Sequence, residues 1–196
     1  MSLRIFLPLA PDPCENSKGM DVAFIVDKTK SLGVANFLLL KGFLLEVVDA
    51  MNIGPNATHT AIMTFSKKAK VLSTFADKQF YSSDAVHQLI DEMPITLGEG
   101  TFIDKALITA NKTLFTEKGG DRPNYPNVLI LFTNGMTNPK SQPLSQITPL
   151  LKVSVEILYS LDYIGANVRG MESKYFVMLK ESLKEKQQLL NFVQKC

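Results

Sequence analysis

The chain has 196 residues, 45% of them hydrophobic, which is enough for one domain with a sizeable core. Its 21 basic and 19 acidic residues leave a formal net charge of +2, and no basic stripe stands out along the sequence. This near balance argues against a nucleic-acid-binding protein, because contact with a phosphate backbone calls for a clear excess of positive charge.

The first regular elements are a buried strand and a long apolar helix. Val22 to Val26 is a continuous apolar run bounded by charge, which is typical of a central parallel strand. The segment "NFLLLKGFLLEVVDAM", Asn36 to Met51, predicts a helix that is buried over most of its surface. Charged residues interrupt it, so no run approaches the roughly 20 apolar residues that a membrane span needs. We therefore expect no membrane span in this chain.

The middle of the chain predicts a hairpin and two helices. The strand-like runs Thr58 to Phe65 and Ala69 to Phe75 are joined by "SKK", which indicates an antiparallel hairpin. A short helix is predicted over Ser83 to Glu92, with Ser82 or Ser83 as its cap. After the glycine-rich "TLGEGT", apolar residues recur at helical spacing between Phe102 and Glu117.

The last third of the chain continues the alternation of strands and helices. Val128 to Thr133 is a second strong strand, and further elements are predicted over Leu144–Leu151 (helix), Val153–Leu161 and Tyr175–Leu179 (strands) and Lys180–Lys195 (helix). Such alternation predicts an α/β fold, doubly wound, with a mostly parallel central sheet, one antiparallel edge strand and helices on both faces. Ligands bind such sheets beyond the carboxyl ends of the strands, where the strand order reverses.

Polar residues stand where that crevice is expected. Asp27 ends the first strand, and Thr29 and Ser31 follow it at two-residue spacing. Asn134 follows the strong strand "VLILFT", and Thr101 lies in the glycine-rich loop. Two chemistries suit this arrangement. Either Asp27 is a nucleophile that accepts a phosphoryl group, or these oxygens bind a hard metal ion.

The phosphoryl hypothesis rests on two short segments. "DKTKSL" resembles the "DKTGTL" of P-type ATPases and the first motif of haloacid dehalogenase-like phosphatases, and "LILFTNG" resembles the second motif of those phosphatases. The resemblance implies a magnesium-dependent phosphohydrolase with Asp27 as nucleophile and Thr133 as phosphate ligand. The late acidic pair that holds magnesium in those enzymes is absent, and Thr29 stands where they have an acid.

The metal hypothesis finds three segments in order. "DKTKS" is similar to a "DxSxS" loop, "GEGTFIDKAL" to "GGTxTxxAL", and "VLILFTNGMTN" to "VLIVLTDGxSxD". With these segments, 21–196 resembles the von Willebrand factor A domain, also called the integrin I-like domain. The resemblance implies a metal-ion-dependent adhesion site (MIDAS) that binds Mg²⁺, or Mn²⁺ or Ca²⁺, at Asp27, Thr29, Ser31, Thr101 and Asn134. It implies adhesion to an extracellular protein through an acidic side chain, and no enzyme activity.

Two residues depart from the family pattern. Thr29 replaces a serine and keeps the hydroxyl, whereas Asn134 replaces an aspartate and removes a negative charge. We expect metal binding weaker than at a complete site, since the family's carboxylate orients the metal and its ligands. A third interpretation is a structural A domain without a working metal site, in which the hydroxyls cap the following helix.

Two cysteines and two asparagines indicate the cellular compartment in which the protein works. Cys14 and Cys196, the two cysteines, are either free thiols or a disulfide that ties the termini together in an oxidising compartment. Terminal cysteines also flank the domain in several extracellular members of the family, and we predict the disulfide. Asn56 in "NAT" and Asn111 in "NKT" are candidate glycosylation sites. We expect an N-terminal extension, 1–20, and a domain, 21–196, in a larger extracellular multidomain protein, either secreted or at the cell surface.

Overall fold

The structure is a computed structural model that describes residues 18–133, 137–151, 155–160, 176–180 and 183–195. In this part of the chain, six strands form one sheet: β1 (Asp21–Asp27), β2 (His59–Phe65), β3 (Ala69–Val71), β4 (Asn127–Thr133), β5 (Val155–Ser160) and β6 (Phe176–Lys180). The helices are α1 (Val34–Asp49), α2 (Ser83–Asp91), α3 (Ile103–Thr113), α4 (Leu144–Ile147) and α5 (Leu183–Lys195).

The sheet has the order β3-β2-β1-β4-β5-β6. Strands β2, β1, β4, β5 and β6 run parallel, and the short edge strand β3 pairs antiparallel with β2. The chain winds outward from β1 in one direction and from β4 in the other, so the strand order reverses between these two strands. The predicted fold class is confirmed.

Each face of the sheet carries its own core. Val22, Phe24 and Val26 of β1 pack with α1, α2 and α5 on one face. Ala23 and Ile25 of the same strand pack with α3 and α4 on the other. Alternate side chains of a strand point to opposite faces, and here both faces are covered. This is why β1 is apolar at every position between Asp21 and Asp27, the residues at its two ends.

Helix α1 accounts for the most apolar segment of the chain. Its buried side chains, which face β1 and β4, are Phe37, Leu40, Phe43, Leu44, Val47 and Val48. Within the ranges that the structure describes, no helix combines the length and the apolar character needed to cross a membrane.

Two predicted elements are shorter than expected. The strand predicted over Ala69–Phe75 ends at Val71, because the amides of Leu72 and Ser73 both donate to the carbonyl of Ile62 and the regular ladder stops. The helix predicted over Phe102–Glu117 covers Ile103–Thr113, and a separate turn of 3₁₀-helix follows at Glu117–Gly119.

The remaining helices differ from expectation mainly at their ends. Ser82 is the cap of α2, and its hydroxyl accepts a hydrogen bond from the amide of Ala85. The helix predicted over Leu144–Leu151 is α-helical to Ile147 and 3₁₀-helical over Thr148–Leu150.

Candidate functional site

Three loops meet at the carboxyl edge of the sheet, where the strand order reverses. The β1–α1 loop pairs with the loop before α3, since the Lys30 amide donates to the Gly98 carbonyl and the Gly98 amide donates to the Lys28 carbonyl, both at 2.8 Å. The loop after β4 joins them, because the Asn138 amide donates to the Thr101 carbonyl at 2.7 Å. Backbone hydrogen bonds therefore hold all three loops together.

Three of the predicted hydroxyl ligands converge at this junction. The Thr29 Oγ1 lies 2.9 Å from the Ser31 Oγ, which lies 3.4 Å from the Thr101 Oγ1. Thr29 and Thr101 are buried and Ser31 is exposed. The structure thus brings together hydroxyls that are 70 residues apart in the chain. We refer to Thr29, Ser31 and Thr101 as the hydroxyl cluster.

Asp27 anchors the loop that carries the first two hydroxyls. Its side chain is fully buried, and its Oδ1 accepts a hydrogen bond of 3.0 Å from the Thr29 amide. Its Oδ2 accepts a hydrogen bond of 2.7 Å from the Thr133 hydroxyl. Sequence reasoning considered Thr133 only as a phosphate ligand, whereas the structure uses its hydroxyl to hold Asp27.

The glycines around the cluster allow the loops to approach one another. A Cβ at Gly98 would lie 2.3 Å from the Ser66 Oγ, so a side chain at this position would push the β2–β3 turn away. Gly100 has φ +73°, a backbone conformation that favours glycine. The glycine-rich loop is therefore a packing requirement of the junction.

A solvent-open pocket exposes part of the hydroxyl cluster. It has a volume of about 310 Å³ and is lined by Lys30, Ser31, Glu99, Gly100, Thr101, Thr137 and Asn138. Of the two hydroxyl residues in this lining, Ser31 is exposed and Thr101 is buried. Thr137 and Asn138 were not singled out from the sequence. Thr137 stands at the serine of the "VLIVLTDGxSxD" pattern, whereas the only signal for Asn138 was its position in polar sequence beyond β4.

Charged side chains border the pocket. Lys30 Nζ and Glu99 Oε1 form an exposed ion pair at 2.9 Å. The hydrogen bond from Lys30, and then the charge of Lys30, lower the pKa of Glu99. Burial, and then the charge of Lys70, lowers the pKa of Lys28. Lys28 therefore lies near a second cation, Lys70.

The helix cap expected for a purely structural loop does not form. Helix α1 begins after Gly33, and no side chain caps its first turn by a hydrogen bond. Asn36 instead donates from its Nδ2 to the Leu32 carbonyl at 2.9 Å. The hydroxyls of Thr29 and Ser31 contact each other, so helix capping is not the reason for their spacing.

The loop beyond β4 is tied to the start of α3. The Thr137 hydroxyl donates to the Thr101 carbonyl at 3.3 Å, and the Gln142 amide donates to the Asp104 Oδ2 at 3.0 Å. Asp104 is buried, and its Oδ1 has no hydrogen-bond partner among the residues that the structure describes. This aspartate positions the loop at the edge of the pocket.

The other predicted residues are not gathered here. Asn134, Cys14 and Cys196 lie outside the described residues. Asn56 is exposed in the loop between α1 and β2, whereas the Asn111 Nδ2 donates to the Leu150 carbonyl at 3.1 Å. Of the two sequons, the one at Asn56 therefore offers the more accessible amide.

Comparison with known proteins identifies the family of this chain. The model of the von Willebrand factor type A domain matches residues 21–160, and the chain belongs to this family. Rat von Willebrand factor is 30% identical over 138 residues, covering 70% of this chain and 31% of that protein. The human collagen alpha-6(VI) chain is 29% identical over 161 residues, which is 82% of this chain and 7% of that one. Mouse matrilin-3 is 29% identical over 163 residues, covering 80% and 31% of the two chains. The chain thus spans about a third or less of the length of these relatives.

Solved structures share the fold. Proximal thread matrix protein 1 from the mussel byssus, with a zinc-occupied MIDAS motif, has a TM-score of 0.72 at 23% identity, covering 93% of this chain and 46% of that one. Manganese-loaded Plasmodium vivax TRAP protein has a TM-score of 0.72 at 16% identity, covering 90% and 74%. None of the relatives or structures described supports the phosphohydrolase hypothesis.

Proposed function

We propose that the chain is an extracellular adhesion or matrix protein-binding module that engages an acidic side chain of a partner protein at a divalent metal site. The observation that carries the proposal is the convergence of the Thr29, Ser31 and Thr101 hydroxyls beside a solvent-open pocket. Asp27 contributes the negative charge and holds the loop.

The spacing of the hydroxyl cluster suits a hard cation. Neighbouring ligands of an octahedral Mg²⁺ lie about 3 Å apart, given metal–oxygen distances of about 2.0–2.1 Å. The observed oxygen separations of 2.9 and 3.4 Å bracket this spacing. Three hydroxyls are oxygen donors of the kind that Mg²⁺, Mn²⁺ and Ca²⁺ prefer. We place Mg²⁺ first because the set is compact and leaves room for water.

The donor set also explains why a partner carboxylate binds. Hydroxyls are neutral, so when a divalent cation is held by them its charge is only partly compensated and attracts an anionic ligand. Ser31 and Thr101 line the pocket, so they can position a carboxylate that enters from solvent. Nothing in this arrangement calls for a nucleophile or a general base. The proposed activity is binding.

The relatives support an extracellular location. Collagen VI chains, matrilins and von Willebrand factor are matrix or adhesion proteins, and two neighbours of the same fold are described as zinc- or manganese-bearing. We propose that this chain likewise forms one domain, 21–196, of a longer extracellular protein. A disulfide between Cys14 and Cys196 and a glycan on Asn56 belong to the same proposal.

Calorimetric titration with Mg²⁺ and Mn²⁺ tests the site. Ser31→Ala removes one exposed hydroxyl of the cluster and should weaken metal binding. The matched control is Ser83→Ala, which makes the same change in the first turn of α2. Equal metal binding by the wild type and both variants would contradict the proposed ligand set. No binding by any of the three would favour a structural A domain instead.

A further inference from the structure

Several lysines that are scattered along the sequence lie in the segments that meet at the hydroxyl cluster. The segments 28–33, 66–70, 97–105 and 137–142 together contain seven lysines, which we call the lysine rim: Lys28, Lys30, Lys67, Lys68, Lys70, Lys105 and Lys140. The same segments contain two acidic residues, the exposed Glu99 and the buried Asp104. The chain is nearly neutral as a whole, so its positive charge is concentrated on this edge.

Backbone contacts bring the β2–β3 turn to the pocket. The Lys28 amide donates to the Phe65 carbonyl at 2.8 Å, and the Phe102 amide donates to the Ser66 carbonyl at 3.1 Å. The turn therefore touches both the loop of Asp27 and the loop of Thr101. Its lysines at 67, 68 and 70 are exposed, so their charges face solvent beside the pocket.

The lysine rim has few compensating carboxylates in the part of the chain that the structure describes, although the charge of Lys67 also acts on Glu99 and lowers the pKa of that carboxyl. Among the described residues, Lys30 is the only member with a carboxylate in ion-pair range, the 2.9 Å contact with Glu99. Lys105 lies over the Phe102 ring, with its Nζ 3.9 Å from the centroid. Uncompensated exposed cations beside a binding pocket attract and orient anionic partners.

We propose that the partner segment is an acidic stretch of protein that places one carboxylate at the hydroxyl cluster and further carboxylates against the lysine rim on the β2–β3 turn. The inference rests on the proposed function of the same pocket and adds the character of the ligand's flanking residues. Lysine suits this role because its mobile ammonium pairs with carboxylates without a fixed geometry. The lysine rim has no arginine, whose planar fork matches sulfate and phosphate groups.

Two labelled peptides separate the two parts of the interaction. The first carries a single glutamate in a glycine-serine background, and the second adds three glutamates on either side of it. Fluorescence anisotropy, in Mg²⁺ and in EDTA, gives the affinity of each peptide for the wild type, for Lys67→Glu/Lys70→Glu and for the control Lys78→Glu/Lys118→Glu. The control makes the same charge change at exposed lysines away from the pocket.

The added glutamates should tighten binding to the wild type and to the control by roughly tenfold at low salt, the scale of two or three exposed ion pairs. The variant at Lys67 and Lys70 should lose that gain while keeping its affinity for the single-glutamate peptide. High salt should also abolish the gain, because exposed charges are screened.

Three results would overturn the inference: no gain from the added glutamates, an equal loss in the control variant, or a heparin oligosaccharide that binds the lysine rim while the acidic peptide does not. Failure of the proposed function has a different signature. The single-glutamate peptide would then show no dependence on metal. A gain that requires Lys67 and Lys70 would still support the acidic partner.

Discussion

Thr133, the last residue of β4, donates a hydrogen bond of 2.7 Å to the carboxylate of Asp27, the last residue of β1. The bond crosses the point where the strand order of the sheet reverses. Both residues are fully buried, so the contact is shielded from water. It links the strand that precedes the hydroxyl cluster to the strand that precedes Asn134.

Replacing the Thr133 hydroxyl should therefore destabilise the domain. Thr133→Val keeps the shape but leaves the buried Asp27 Oδ2 without this donor, a change that costs about 1–3 kcal/mol. Urea denaturation measures the loss. Thr109→Val is the control, since it removes a hydroxyl that bonds within α3, and it should change stability by about 0.5 kcal/mol or less. Equal losses in both variants would contradict a special role for the bond.

The amide at Asn134 should limit metal affinity. Asn134→Asp restores the carboxylate of the family pattern, and we expect Mg²⁺ or Mn²⁺ to bind about 10–100-fold more tightly, the usual effect of a residue that orients a metal and its ligands. Asp27→Ala should abolish binding, because it removes the carboxylate that holds the loop. Calorimetric titration of the three proteins is the measurement.

That comparison needs a check on the sample. Asn134 precedes Gly135, and asparagine in an Asn-Gly pair deamidates readily, which would convert part of the wild type into the acidic form. Peptide mapping by mass spectrometry of each batch controls for this. Absence of binding in both wild type and Asn134→Asp would show that the cluster is vestigial.

His59 should make the domain less stable as the pH falls. Burial, and then the charge of Arg122, lowers the pKa of His59, which stacks on Tyr81 at the end of the molecule away from the pocket. Below about pH 6.5 the unfolded histidine takes up a proton that the folded one still resists, so protonation favours unfolding. The stability that neutral His59 supports is present above this pH and is lost below it.

A neighbouring carboxyl acts in the opposite direction. Burial raises the pKa of Asp21 despite its ion pair with Arg122, so Asp21 favours the folded state as the pH falls towards the acid range. The contribution of His59 is therefore measured by comparing the pH dependence of stability in the wild type with that in a variant without His59. Urea midpoints at about pH 7.5 and pH 5.5 should diverge less in His59→Phe than in the wild type. The control Gln79→Ala changes an exposed side chain that does not titrate, and it should keep the wild-type pH dependence.

The terminal cysteines should be joined in material from an oxidising compartment. Mass spectrometry without reduction should find one peptide that links Cys14 to Cys196. Removing such a bridge costs about 2–5 kcal/mol, because the loop it closes restricts the unfolded chain. Two freely alkylated thiols in secreted protein would contradict the pairing and weaken the extracellular assignment.

Local patterns in the sequence were sufficient for the architecture. The alternation of apolar runs with helical periodicity predicts a doubly wound parallel sheet, since each pattern reports which faces of an element are buried. The spacing alone also indicated a candidate site at Asp27, which ends β1, and at the hydroxyls two and four residues later. Element ends were less predictable. Strand β3 stops at Val71 because two amides share the Ile62 carbonyl, a detail of hairpin geometry that the apolar pattern does not show.

Only the tertiary structure decided what surrounds the hydroxyl cluster. Thr101 meets Ser31 across 70 residues of chain, and Gly98 is required there because the Ser66 side chain occupies the space beside it. The sequence shows nearly balanced charge with no basic stripe, whereas folding brings together segments that hold seven lysines and only two acidic residues. The physical reason is that the burial of one face of an element produces a periodic pattern of apolar residues along the chain. The convergence of polar loops depends instead on the strand order, which no local pattern predicts.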